Sequence, residues 1–165
     1  MKNNYTFFMI VILPDIRSAH NVGSIFRTAD AAGVEKIYLC GITPAPIDRF
    51  GRPNKEIAKV ALGAEQSIPW ESTASAAALI TRLKKQGYEI VAVEQDARSI
   101  PYTHMRIKKS DRMRTAVIMG SEVEGLSSPI LKRCDTILEI PMHGAKESLN
   151  VGGAFGIVIF HLICR

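Results

Sequence analysis

Residues 5–40 read YTFFMIVILPDIRSAHNVGSIFRTADAAGVEKIYLC, and their pattern decides the fold. Stretches 5–13 and Lys36–Cys40 are apolar runs rich in aromatic and branched residues, as strands buried on both faces require. Between them, over 21–32, Val22, Ile25, Phe26 and Ala29 recur at helical spacing, and Gly33 supplies a stop. A strand, a helix and a second strand in this succession make a parallel pair with its crossover.

The rest of the chain repeats the alternation. Residues 42–54 (ITPAPIDRFGRPN) form a loop with three prolines and one glycine, longer than most such connections, and Asn54 caps a short helix to about Leu62. Residues 72–86 read as an Ala-rich helix with Lys84 and Lys85 near its end and Gly87 as the stop. Stretches 88–94 and Thr115–Met119 read as strands, Ser127 or Ser128 caps a helix with Pro129 in its first turn, 136–140 is the last strand and 149–164 the last helix. The expected fold is α/β, a mostly parallel sheet with helices on both faces, and residues 1–165 read as one domain with no linker, repeat or separate RNA-binding domain.

At 165 residues, 47% hydrophobic and 22% charged, the composition excludes disorder. The net charge of +5 suits a polyanionic partner, although mild basicity is also ordinary. Cys40, Cys134 and Cys164 are odd in number with no C-x-x-C pairing, which points to reduced thiols. His20, His104, His143 and His161 show no ligand spacing, so no metal is expected. The apolar runs 7–13 and 149–164 are too short for an export signal or a bilayer span; a cytoplasmic protein with no membrane contact is expected. The last helix places Val151, Phe155, Val158 and Leu162 on one side and Ile157 and Phe160 on the other. A helix apolar all round is buried all round, which a homodimer interface or a central position would provide.

Three polar stretches punctuate the apolar runs at strand ends, where ligands bind in open α/β sheets: 21–27 (NVGSIFR), 120–126 (GSEVEGL) and 140–151 (IPMHGAKESLNV). Alone, the first reads most simply as an amphipathic helix with a solvated Arg27; the functional alternative is an anion- or hydroxyl-binding edge of Asn21 and Arg27. In the second, Gly120 and Gly125 let backbone approach a ligand. It is neither a Walker loop nor G-x-G-x-x-G, so nucleoside triphosphates and dinucleotides lose support. In the third, Ser148 suits a helix N-cap, which leaves Asn150 and the Gly152–Gly153 pair unexplained.

Together these stretches resemble the SpoU (TrmH-like) class of the SPOUT superfamily of RNA 2′-O-ribose methyltransferases. Asn21 and Arg27 match the first family motif, Gly120, Glu122, Gly125 and Leu126 the second, and Ile140-Pro141-Met142 with Ser148-Leu149-Asn150-Val151 the third, over nearly the whole chain. The resemblance implies a C-terminal deep trefoil knot, a homodimer, S-adenosyl-L-methionine (AdoMet) as methyl donor without metal, and tRNA or rRNA as substrate. It implies an AdoMet site at Val93, Glu94, Gly120, Ile140, Met142, Ser148 and Leu149.

It makes Arg27 the main catalytic candidate. A guanidinium with a pKa of about 12 or more is a poor proton acceptor, so Arg27 is expected to orient the hydroxyl or adjacent phosphate and to stabilise the alkoxide. Water or an RNA phosphate then takes the proton. Asn21 and Asn150 would position substrate and loop, Ser148 would bridge AdoMet and the reacting centre, and Glu122 would brace the second loop. For RNA contact, 106–114 (RIKKSDRMR) offers Arg106, Lys108 and Lys109, although a solvated connection fits equally. Arg49 and Arg52 around Phe50 are a second candidate, since an aromatic there can stack on an unpaired base. A non-catalytic RNA- or AdoMet-binding protein and a base methyltransferase of the wider superfamily remain alternatives, with Ser148-Leu149-Asn150 favouring ribose.

Overall fold

The computed structural model describes residues 9–105, 114–121 and 123–163. Seven strands form one sheet: β1 (Met9–Pro14), β2 (Lys36–Cys40), β3 (Trp70–Thr73), β4 (Glu89–Val93), β5 (Ile100–Pro101), β6 (Thr115–Met119) and β7 (Thr136–Glu139). Their order is β3-β2-β1-β6-β4-β7-β5, and every pairing is parallel. Among the described residues six α-helices accompany them, α1 (Ala19–Ala32), α2 (Lys55–Ala61), α3 (Ala64–Ser67), α4 (Ala76–Lys85), α5 (Ser128–Leu131) and α6 (Val151–Ile163), with a 3-10 turn at Tyr102–His104.

The strands read as unbroken apolar runs because both faces are covered. Met9, Val11 and Leu13 of β1 join a core with Ile25, Phe26 and Ala29 of α1, Ile57 of α2 and Phe155 of α6. Ile10 and Ile12 point the other way, into a second core with Leu79, Ile80 and Leu83 of α4 and Leu131 of α5. The period of two thus splits one apolar strand between two layers. Burial pushes the Cys40 thiol up to about 12 and the Cys134 thiol up to about 11, with Asp15 and Asp135 adding to the respective shifts.

Helix boundaries follow caps more closely than apolar periodicity. Ser18 caps α1, its Oγ accepting from Asn21 N at 3.2 Å, so the helix starts two residues before the expected 21. Gly33 ends it at φ 74°. Asn54 caps α2 through bonds from Glu56 N and Ile57 N, as its position predicts. The helix expected over 72–86 is shorter: Trp70–Thr73 pairs with β2 as an edge strand, and Ser75 caps α4. The alanines that follow hid this strand, whose Trp-Glu-Ser-Thr sequence satisfies the outer edge of β2. The two-residue β5 and the one-turn α3 are too short for periodicity to register.

Strand order places the site. β1, β2 and β3 are laid outward in sequence, whereas β6 enters between β1 and β4, and β7 between β4 and β5. β4 is therefore flanked by the last two strands to appear in the chain. The connections leaving β6 and β7, at 120–126 and 140–150, rise on either side of its carboxyl end. Among the described residues no helix is long and apolar enough to cross a membrane.

One contact is close enough to test alone. α1 meets α2 at Gly23, where a Cβ would lie 2.7 Å from the Ile57 carbonyl oxygen and 3.0 Å from Val60 Cβ. Alanine at this helix position would gain about 1 kcal/mol of helical preference. The obstacle is backbone, which cannot swing aside, and overpacking of this kind costs roughly 1–3 kcal/mol. Gly23→Ala is therefore expected to be net destabilising, read as a lower urea midpoint at unchanged slope; a stabilised variant would show that α1 and α2 can separate freely.

Candidate active site

A cavity of about 410 Å³ opens at the carboxyl ends of β4, β6 and β7, a size suited to a small organic ligand. Val93, Glu94, Gly120, Ile140, Met142, Ser148 and Leu149, the positions expected from the sequence, all line it. Met119, Leu138, Val151 and Ala154 add apolar wall. Glu94, Glu124 and Glu139 supply three carboxylates, and no lysine, arginine or histidine is among the lining residues described. An acidic wall without a cation repels phosphates and suits a ligand that carries positive charge.

The end of β4 holds both flanking loops. Glu94 Oε2 accepts from Leu126 N at 2.8 Å, and Oε1 from Gln95 N at 2.9 Å. The second loop turns tightly around this carboxylate: Gly125 N donates to Ser121 O, and Gly125 sits at φ 64°. A Cβ on Gly120 or on Gly125 would fall onto the Glu94 carboxylate. Both glycines are thus explained by an internal carboxylate that occupies the space their side chains would need. Glu94 thus braces the second loop; Glu122, expected to brace it, lies outside the described residues. Next in the chain, Gln95 Nε2 donates to Glu147 O at 2.6 Å and ties down the third loop. Gln95 was missed by sequence reasoning; its signal is a polar residue two positions past the end of a buried strand.

The third loop ends on a cap that corrects the expectation for Ser148. Asn150 caps α6: its Oδ1 accepts from Gly152 N at 2.9 Å, and its carbonyl from Ala154 N. Ser148 lies two residues too early and lines the cavity instead. With Oδ1 committed to the cap, Asn150 Nδ2 is left to donate to Asn21 Oδ1 at 2.9 Å, joining residues 129 positions apart. Asn21 is buried, at 7% exposure. The paired glycines divide their work. A Cβ on Gly152 would lie 3.1 Å from Ser24 Oγ of α1, whereas Gly153 has nothing within 4 Å.

Arg27 is exposed on α1 and does not line the cavity. The first turn of α6 touches both regions, with Val151 and Ala154 on the cavity and Gly152 on Ser24. α6 itself is covered on one side only: Phe155, Val158 and Leu162 are buried, while Ile157 and Phe160 are 39% and 40% exposed. The all-round apolar pattern therefore leaves an open apolar stripe in the single chain. Arg49 and Arg52 stand 4.8 and 5.0 Å from the Phe50 ring centroid, apart from the cavity lining. Arg106, Lys108 and Lys109 lie outside the described residues. Among the described residues no group of three or more His, Cys, Asp or Glu could hold a metal.

Residues 8–160 match the family described as the SpoU rRNA Methylase family. The chain is 31% identical over 155 residues to a protein of Ralstonia nicotianae named 23S rRNA (guanosine-2′-O-)-methyltransferase RlmB, covering 94% of this chain and 58% of that protein. The Escherichia coli (strain K12) protein of the same name is 33% identical over 154 residues, 93% of this chain and 59% of its own. The chain thus spans somewhat under three-fifths of the length of these curated relatives. Among solved structures, an AdoMet-bound rRNA methyltransferase from Sinorhizobium meliloti superposes with a TM-score of 0.81 at 29% identity, covering 93% of this chain and 55% of that one. The A. aeolicus TrmH/SpoU tRNA modifying enzyme gives 0.77 at 26% identity, covering 93% and 72%.

The Glu94 brace has a thermodynamic signature. Gly120→Ala displaces the carboxylate and Glu94→Ala removes it, so each alone is expected to destabilise the fold. Once the carboxylate is gone, the alanine methyl has room. The double variant should therefore be more stable than the sum of the singles by at least about 0.5 kcal/mol. Strict additivity in urea unfolding would mean that the glycine and the carboxylate do not compete for that space.

Proposed function

The chain belongs to the SpoU rRNA methylase family, and from that premise we propose that it transfers a methyl group from AdoMet to a ribose 2′-hydroxyl of RNA in the cytoplasm. The observation that carries this reading is the cavity, with apolar walls, three carboxylates and no cation among its described lining. AdoMet is a fitting occupant, because it joins a flat apolar base to a sulfonium and an ammonium group. Val93, Ile140, Met142 and Leu149 would hold its apolar parts, and Glu94, Glu124 and Glu139 would favour its positive charge. When bound it supplies a methyl group already activated for transfer.

The protein then has to align one hydroxyl and steady the charge that develops on it. Arg27 is our candidate for that task, acting as a planar cation and not as a base. Asn21 and Asn150 hold α1 and α6 in register, and Ser148, on the cavity wall, would bridge AdoMet and the reacting centre. Because Arg27 does not line the cavity of its own chain, we infer that it serves the cavity of a second copy. The open stripe of Ile157 and Phe160 on α6 supports such a homodimer. A trefoil knot belongs to the same proposal; β7 inserted between β4 and β5, and a following segment that returns to Asn21, support it. The relatives named for 23S rRNA favour ribosomal over transfer RNA as substrate.

Labelled AdoMet with methyl-free ribosomal RNA, followed by digestion to nucleosides, should yield a 2′-O-methylated nucleoside; a labelled base would replace this reading with base methylation. Arg27→Ala is expected to slow transfer by about a hundredfold or more while AdoMet affinity, measured by calorimetry with a chelator present, stays unchanged. Arg27→Lys should rescue poorly. Light scattering should give twice the 18.1 kDa chain mass, reduced to one chain by Phe160→Arg. Mixing Arg27→Ala chains with cavity-blocked Gly120→Arg chains should restore part of the rate. No restoration at any ratio, with mixed dimers demonstrated, would put Arg27 in its own chain's site.

A further inference from the structure

The 42–54 loop takes no part in the cavity, yet it is built in detail. Its root is pinned by the buried Thr43, whose Oγ1 donates to Leu13 O at 2.7 Å and accepts from Ile16 N at 3.0 Å. Its stem closes through Asn54 N to Pro46 O and a bridge between Ile47 and Pro53. At the tip, Asp48 Oδ1 accepts from both Phe50 N and Arg52 N, and Gly51 turns at φ 76°. This bonding holds Phe50 outward, at 66% exposure. Arg52 is fixed beside the ring by its own 2.8 Å bond to Asp48 Oδ2, and among the described residues Arg49 makes no ion pair.

We propose that this tip is a stacking platform for an unpaired RNA base flanking the nucleotide to be methylated, an inference that rests on the methyltransferase reading. An exposed aromatic ring beside two guanidinium groups offers both things a single strand presents: a π-face to stack and a phosphate to pair. It offers no base-edge code, so the contact would be tolerant of base identity. The location fits. The loop leaves the carboxyl end of β2, on the same edge as the cavity, and β2 lies two strand spacings from β6, about 10 Å. A few nucleotides of extended strand bridge that separation.

The test uses a labelled unstructured oligouridylate and direct binding to the whole protein. Phe50→Ala should weaken binding roughly five- to hundredfold, the range of one base–aromatic stack, and Phe50→Trp should restore it. Arg49→Ala should lower the salt slope of log affinity by about one. On ribosomal RNA, Phe50→Ala should raise KM with kcat and AdoMet affinity unchanged. Wild-type affinity in Phe50→Ala, no binding by the wild type, or failure of Phe50→Trp to restore it would each overturn the platform. Methyl transfer with a KM indifferent to Phe50 would sink the platform and leave the methyltransferase reading standing. Phe50-dependent binding without any methyl transfer would do the reverse.

Discussion

Every strand pairing in this sheet is parallel, and that constraint organises the molecule. Parallel neighbours cannot be joined by hairpins, so each connection must cross over a face, and each strand delivers its carboxyl end to one common edge. The 15–18 turn, the 42–54 loop and the two segments flanking β4 all leave from that edge. The amino edge receives only returning chain. Residues far apart in sequence, such as Asn21 and Asn150, meet because α1 and α6 both begin at that edge.

Within this frame two polar side chains secure the site. The Glu94 carboxylate accepts from backbone on both oxygens and fills the space that two glycines vacate. A hydrogen bond to a charged group contributes about 1.5–3 kcal/mol, against about 1 for a neutral one. The neutral Asn150–Asn21 bond therefore adds less energy than register: it sets how far α6 slides along α1, and with it which residues of the first turn of α6 reach the cavity. Gly152 permits that approach, while its neighbour Gly153 contributes nothing to it.

Much of this was legible beforehand. Two-sided burial writes itself into unbroken apolar strands, so β2 and β6 fall where the sequence predicts, and a glycine at positive φ marks the end of α1. Motif resemblance named seven positions that converge on one cavity. What stayed hidden depends on side-chain reach across space. Ser148 and Asn150 are both good caps by type, and only the backbone path shows that Asn150 meets Gly152 N. Glu94 lies some thirty residues before the glycine loop it braces, and its reach into that turn is not written in the sequence. The β3 strand was concealed by alanines whose helical preference overran its boundary.

The late arrival of β6 and β7 on either side of β4 bears on how the protein is born. On a ribosome, β1, α1 and β2 can close as soon as they emerge, since their contacts are local. β4 has no such partner: both of its edges stay open until the final third of the chain is synthesised. A strand with two bare edges is a template for pairing with other chains. Nascent protein therefore passes through an interval in which β4 is its most vulnerable strand, and that interval ends only when β7 has followed β6 out of the ribosome.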